Sequence, residues 1–375
     1  METGNSRRSR RRQLVTSLYF HIPFCTKKCP YCHFYVIPNR LPYHHQLLSE
    51  SIALEWERQW PLLQGKPITS IYFGGGTPTL FEGIGKILEK IPHRTPDCEI
   101  TIEANPEEST PELFNRLRSI GINRLSLGIQ SLDNRSLQTL GRIHSAEKGR
   151  QAILDAEKAG FQNISIDLMY DLPDQTEESW RYTLDQLHHL PIHHLSLYNL
   201  TIEPHTSFHK QNVQPLSGKR SLRLLTAALE TLAALGLHRY EISAFALPGH
   251  ESRHNTGYWT GRPFLGFGPS ACSFWEGERF RNIAHLHRYA KLLKAHESPI
   301  DFRERLLYPA QVKERLAIQL RLKEGADLTS FDLPLETRSA IEKLKALGLL
   351  QQEGAQLQLT ERGMLFYDTV ATELM

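Results

Sequence analysis

Three cysteines fall within one short stretch, Phe24-Cys25-Thr26-Lys27-Lys28-Cys29-Pro30-Tyr31-Cys32-His33-Phe34, spaced C-x3-C-x2-C. Thiolates are soft donors suited to iron–sulfur clusters or to zinc. A closed structural zinc site takes four protein ligands, commonly as two separated pairs. Here three sit in a single loop, an arrangement that would leave one iron of a [4Fe-4S] cluster open to a small molecule. His33 as a fourth ligand to zinc is the alternative. With Cys98 and Cys272 the cysteine count is five, an odd number and a poor disulfide framework. In a reducing compartment such a cluster more often binds metal or performs redox chemistry.

A second element with chemical potential is Gly74-Gly75-Gly76-Thr77-Pro78, directly after the apolar run Ile71-Tyr72-Phe73. Glycines permit close backbone approach and can expose amide N–H groups to an anion. A tight turn is the plainer reading. Other apolar runs also end on polar residues. Ile100-Thr101-Ile102 meets Glu103 and Asn105, Leu125-Ser126-Leu127-Gly128-Ile129 meets Gln130, Ile164-Ser165-Ile166 meets Asp167, and Leu195-Ser196-Leu197 meets Tyr198 and Asn199. Active sites of β/α barrels lie on this carboxyl-terminal face.

The elements that must position these residues are legible as alternation. Expected strands are Val15–His21, Ile68–Phe73, Glu99–Glu103, Arg124–Gln130, Ile164–Met169, Leu195–Ile202 and Tyr240–Phe245. Helical stretches between them include Tyr43–Trp56, Pro111–Ile120, Ala146–Ala159, Glu177–Leu187 and Lys219–Leu235. Buried strands separated by helices predict an α/β fold with a parallel sheet, as a full or partial (β/α)6-type barrel, with an open doubly wound sheet as the alternative. The barrel and its extension are expected over 14–300 and a small C-terminal domain over 301–375. In that domain Ala310–Leu322 and Leu335–Leu347 read as helices, and the segments flanking Glu353-Gly354-Ala355 as a hairpin, which together resemble a winged helix.

Composition narrows the partners. The 375 residues are 40% hydrophobic, enough for a sizeable core, and no apolar run is long enough to span a membrane. With 44 basic and 41 acidic residues the formal charge is +3, too balanced to imply nucleic acid. Residues 1–13 form a basic tail with Arg7, Arg8, Arg10, Arg11 and Arg12; no apolar segment of a signal peptide follows it, so a flexible tail and a cytoplasmic protein are expected.

The cysteine spacing after a strand, followed by Gly-Gly-Gly-Thr-Pro, resembles the radical S-adenosylmethionine (SAM) superfamily. The resemblance implies that Cys25, Cys29 and Cys32 hold a [4Fe-4S] cluster and that SAM chelates the open iron, to be cleaved by electron transfer to a 5′-deoxyadenosyl radical. It further implies that Gly75, Gly76 and Thr77 form the SAM-contacting loop and that Tyr19 and Tyr31 occupy aromatic SAM positions. Glu103, Gln130, Arg142 and Asp167 fall at family positions for holding SAM. Packing is the alternative for the tyrosines, and ion pairing for Glu103 and Arg142.

From Leu18 to about Thr360 the resemblance narrows to two branches, the coproporphyrinogen III dehydrogenase HemN and the haem chaperone HemW. Gly141-Arg142-Ile143-His144 and His254-Asn255-Thr256-Gly257-Tyr258-Trp259 are similar to HemW; Asp167–Pro173 and Gly266–Ala271 fit both. The dehydrogenase carries another cysteine where this chain has Phe34, and it has a longer N-terminal extension. His33 departs from HemW's usual aspartate. The HemW branch implies binding of haem, cluster and SAM, a haem acceptor protein, and an electron donor such as a flavodoxin or ferredoxin. His254 is the candidate haem contact, with a structural histidine as the alternative. The dehydrogenase branch implies radical decarboxylation of coproporphyrinogen III, with Thr201 and Cys272 at its second SAM position. Whether the chain is an enzyme stays open between the two.

Overall fold

The computed structural model describes residues 15–38, 40–216 and 218–375; the arginine-rich tail expected over 1–13 lies outside them. Six βα steps build the frame. β1 (Thr16–Ile22) leads through the thiol loop to α1 (Pro42–Leu63), then β2 (Ile68–Gly75), α2 (Ile84–Glu89), β3 (Arg94–Ala104), α3 (Pro111–Ser119) and β4 (Arg124–Gln130). α4 (Asn134–Thr139) and α5 (Ala146–Lys158) precede β5 (Ile164–Tyr170), and α6 (Glu177–Gln186) precedes β6 (His194–Asn199). β1 to β6 pair in order and all parallel. Such strands are buried on both faces, which is why their sequences read as near-continuous apolar runs. Helices α3, α5 and α6 begin on side-chain caps: Thr110 accepts from Leu113, Ser145 from Lys148 and Thr176 from Ser179.

Beyond β6 come α7 (Ser207–Lys210), α8 (Gly218–Ala234), β7 (His238–Arg239), β8 (Ala244–Ala246) and α9 (Arg253–Trp259). The single strand expected over Tyr240–Phe245 is instead an antiparallel pair, β7 with β8, laid against β6. The chain then returns to the opposite edge. β9 (Phe264–Phe267) pairs parallel with β1, and β10 (Cys272–Trp275), β11 (Glu278–Asn282) and, after α10 (Leu286–Lys294), β12 (Ile300–Arg305) add antiparallel. The result is one twelve-stranded sheet in the order β12-β11-β10-β9-β1-β2-β3-β4-β5-β6-β8-β7, which does not close on itself and in which β1 to β6 follow without the order reversal of a doubly wound sheet. The partial barrel is therefore the correct member of the expected pair. Stacked Phe20, Phe73 and Phe267 join β1, β2 and β9 with ring centroids 5.1 and 4.9 Å apart, each pair contributing about 1 kcal/mol beyond its buried area.

The remaining chain forms α11 (Ala310–Gln319), β13 (Ala326–Asp327), α12 (Leu335–Ala346), β14 (Leu350–Glu353), β15 (Gln356–Leu359), α13 (Glu361–Leu365) and α14 (Tyr367–Leu374). Its three strands and helices enclose a second core reaching from Leu316 to Leu374. Arg321 holds this unit to the barrel: its guanidinium lies 4.2 Å over Trp259 of α9 and 5.1 Å from the Tyr367 ring, and pairs with Glu241 at 3.4 Å. Among the described residues no helix is long and apolar enough to cross a membrane.

Candidate functional site

The carboxyl ends of β1 to β5 gather the residues singled out by type and spacing. The thiol loop leaves β1 at Ile22 and is fastened to the glycine turn that ends β2. Gly76 N donates to Ile22 O at 2.9 Å, Thr77 N to Phe24 O at 2.6 Å, and Cys25 N to Ile37 O at 3.3 Å. A Cβ on Gly76 would meet Phe24 O at 2.4 Å, and one on Gly75 the His21 ring at 2.5 Å; Gly75 also has φ +112°. Both positions require glycine for these reasons.

Cys25, Cys29 and Cys32 are all half-buried and their charges act on one another. Burial pushes the Cys25 thiol up to about 11, and raises that of Cys32. Thiols this reluctant to ionise require a cation to become ligands. Polar partners already address them: Thr77 Oγ1 donates to Cys25 Sγ at 3.7 Å, and Arg142 Nη1 to Cys29 Sγ at 3.6 Å. Among the described residues no three His, Cys, Asp or Glu groups lie close enough to hold one bare metal ion, His33 included. A cubane places each sulfur on a different iron, so three converging thiols that do not share one point suit it.

Asn105 is the residue whose importance sequence reasoning missed. It was visible only as a polar strand end. Its Nδ2 donates to Thr77 Oγ1 at 2.7 Å, and its Oδ1 accepts from Arg142 Nη2 at 2.7 Å. Arg142 also donates to Gly128 O at 3.1 Å and lies 3.6 Å from Glu107, itself bonded to His144. The guanidinium thus faces the thiol loop at Cys29, with Nε buried and unpartnered.

A second group lines the interior. Glu103 Oε1 accepts from Tyr72 at 2.8 Å and Oε2 from Gly75 N at 3.0 Å. Tyr19 stacks on Tyr72 at 6.2 Å and bonds His21. Tyr72 was not foreseen, although a period of two between Ile71 and Phe73 turns it to the opposite face. Asp167 on β5 has its Oδ1 buried without a partner. Gln130 closes β4 at φ 65°, beside a register shift against β5, the kind of strained backbone that persists at functional sites. Tyr31 packs near Phe208, with ring centroids 6.5 Å apart.

Burial pushes Glu103 up to about 7, with Asp167 contributing, and Asp167 itself up to about 6. The unfolded chain releases the Glu103 proton near 4.5, whereas the folded chain keeps it to about 7. Stability from this group is therefore greatest below the lower value and falls as pH rises to the higher one. Glu103→Gln removes that cost: its stability relative to the parent should improve by roughly 2 to 3 kcal/mol between pH 4.5 and 7.5. Urea unfolding at the two pH values measures it, and a pH-independent difference would refute the assignment.

His254 borders this group rather than joining it: its ring lies 5.0 Å from that of Tyr72. It starts α9 toward the amino end of the sheet, with its ring 1% exposed. Nδ1 bonds Ser70 at 3.0 Å, Nε2 bonds Tyr258 at 2.8 Å, and its backbone N donates to Glu99. The ring could meet a haem iron only after giving up one of these bonds.

Comparison with known proteins completes the picture. Residues 19–187 match the radical SAM superfamily and residues 309–366 the HemN C-terminal domain. A Mycobacterium tuberculosis protein named heme chaperone HemW is 32% identical over 376 residues, covering 96% of this chain and 94% of its own. The Escherichia coli protein of that name is 31% identical over 377 residues, with 94% and 96% covered. Among solved structures, coproporphyrinogen III oxidase (HemN) from Escherichia coli superposes with a TM-score of 0.85 at 24% identity, over 96% of this chain and 90% of that one.

Proposed function

This chain belongs to the HemW family of the radical SAM superfamily, and from that premise we propose that it is a haem chaperone. The observation that supports this best is likeness along nearly the whole length, C-terminal domain included, to relatives that carry that name. The fold is shared with the dehydrogenase and does not separate the two activities. Phe34, half exposed where the dehydrogenase branch has a further cysteine, favours the chaperone.

In this reading Cys25, Cys29 and Cys32 hold a [4Fe-4S] cluster, which supplies an electron to bound SAM when reduced. Arg142, fixed by Asn105 and Glu107, offsets the charge of the thiolates. Gly75, Gly76 and Thr77 present a close backbone surface to SAM. Glu103, Gln130 and Asp167 accept from its hydroxyl and amino groups, and the unpartnered Asp167 oxygen needs such a donor. Tyr19 and Tyr31 border its apolar parts. The partners this reading implies are an acceptor protein for the haem and, in the cytoplasm, a flavodoxin or ferredoxin that would serve as electron donor.

Anaerobically reconstituted protein with SAM and reductant, assayed in parallel for haem binding and coproporphyrinogen decarboxylation, tests the proposal. Stoichiometric haem binding without decarboxylation is expected. Sustained decarboxylation with 5′-deoxyadenosine release would make the chain a dehydrogenase.

A further inference from the structure

Four side chains from two distant helices meet beside the thiol loop. Tyr43 and His44 open α1; His285 and His287 bracket the start of α10. Ring centroids are 4.2 Å apart for Tyr43 and His44, 5.9 Å for Tyr43 and His287, 5.6 Å for His44 and His287, and 5.7 Å for His285 and His287. The topology puts them at the cluster end of the sheet. β9 is parallel to β1, and two antiparallel steps make β11 parallel to β1 as well, so α10 begins at the same end as the thiol loop. Tyr35, just past the loop, completes the connection: its hydroxyl accepts from Leu286 N at 2.9 Å and its carbonyl bonds His21 at 3.0 Å.

We propose that this patch is the haem-binding site, with the imidazole of His287, the ring that touches the other three, meeting the iron and Tyr43 lying against the macrocycle. The inference rests on the haem reading above. Its chemistry is that of a ligand that brings most of its own coordination. These rings form no cage for a bare ion among the described residues, yet haem iron requires only one or two axial protein donors, for which imidazole is a common choice. His285, His287 and Tyr43 are exposed. His44 is buried, its Nδ1 accepting from Leu41 N at 2.9 Å, and it backs the patch rather than reaching out. Large apolar groups stand exposed in the adjoining segments, Phe34 at 53% and Leu41 at 52%, the surface a flat apolar ring would cover. Burial and the neighbouring His287 lower the pKa of His44. His254, by contrast, has both nitrogens engaged inside the fold.

Haemin titration of reconstituted protein, followed in the Soret region, decides it. The double variant His285→Ala/His287→Ala should bind haemin at least about tenfold more weakly, with a shifted Soret maximum that added imidazole restores. The milder His287→Gln should show the spectral shift with iron and sulfide content unchanged, which separates lost ligation from misfolding. Wild-type affinity and spectrum in both variants would overturn this site while leaving the chaperone reading standing. Absence of haemin binding by the unaltered protein would overturn both.

Discussion

Cys29→Ala is expected to abolish cluster assembly, leaving the reconstituted protein with near-background iron and acid-labile sulfide. Three thiols are the minimum that can hold a cubane while one iron stays open, and removing one leaves a second iron without a protein ligand. The loss extends past a single bond. Cys29 Sγ accepts from Arg142, whose other contacts reach Asn105 and the carbonyl of Gly128. Without the sulfur, that end of a buried guanidinium loses its partner. Iron and sulfide analysis with the visible spectrum reads the outcome directly. Full iron and sulfide in this variant would refute the ligand assignment.

Glu55→Ala should cost about 4 kcal/mol of folding stability, because a fully buried carboxyl group that gathers several buried donors leaves them short of an acceptor when removed. Glu55 lies inside α1 with no exposure. It accepts from Gly268 N at 2.8 Å, Asn282 Nδ2 at 2.6 Å, Gln59 Nε2 at 3.0 Å and the Tyr289 hydroxyl. One side chain thus ties α1 to the turn after β9, to the end of β11 and to α10. Urea unfolding followed by circular dichroism measures the effect; a loss below about 1 kcal/mol would mean that water or repacking satisfies the donors. Glu55→Gln, which keeps an acceptor oxygen, should lose less.

Neither Glu55 nor its side-chain partners Gln59, Asn282 and Tyr289 drew notice in the sequence, where Glu55 is one residue of the helical stretch Tyr43–Trp56. Tertiary context alone buries it. The parallel core was legible because strands covered on both faces carry uninterrupted apolar runs: Arg124–Gln130 emerged with the expected bounds. Its neighbour β3 was expected only over Glu99–Glu103 because Arg94-Thr95-Pro96-Asp97 lacks that signal. The antiparallel strands β11 and β12 escaped for a related reason. Their sequences, Glu-Arg-Phe-Arg-Asn and Ile-Asp-Phe-Arg-Glu-Arg, bury little beyond Phe280 and Asn282 and carry cross-strand charge pairs such as Arg279 with Glu304. Within the site, the thiols, the glycine turn and the strand-end carboxylates could be read from spacing. Asn105 and Tyr72 could not be ranked, since their roles come from which neighbouring strands the fold sets beside them.

The fastening of the thiol loop to the glycine turn has a thermodynamic corollary. Backbone bonds from Gly76 and Thr77, and the Thr77 hydroxyl on Cys25, make the thiol loop and the glycine turn, the segments proposed to hold the cluster and to face SAM, a single mechanical unit. Two guests that each order the same unit are reciprocal by necessity. The factor by which a loaded cluster tightens SAM must equal the factor by which SAM tightens the hold on the cluster. On the proposed cluster and SAM sites, protection of the metal centre by its own cosubstrate would then be a property of the latch, present whether or not any bond in SAM is ever broken.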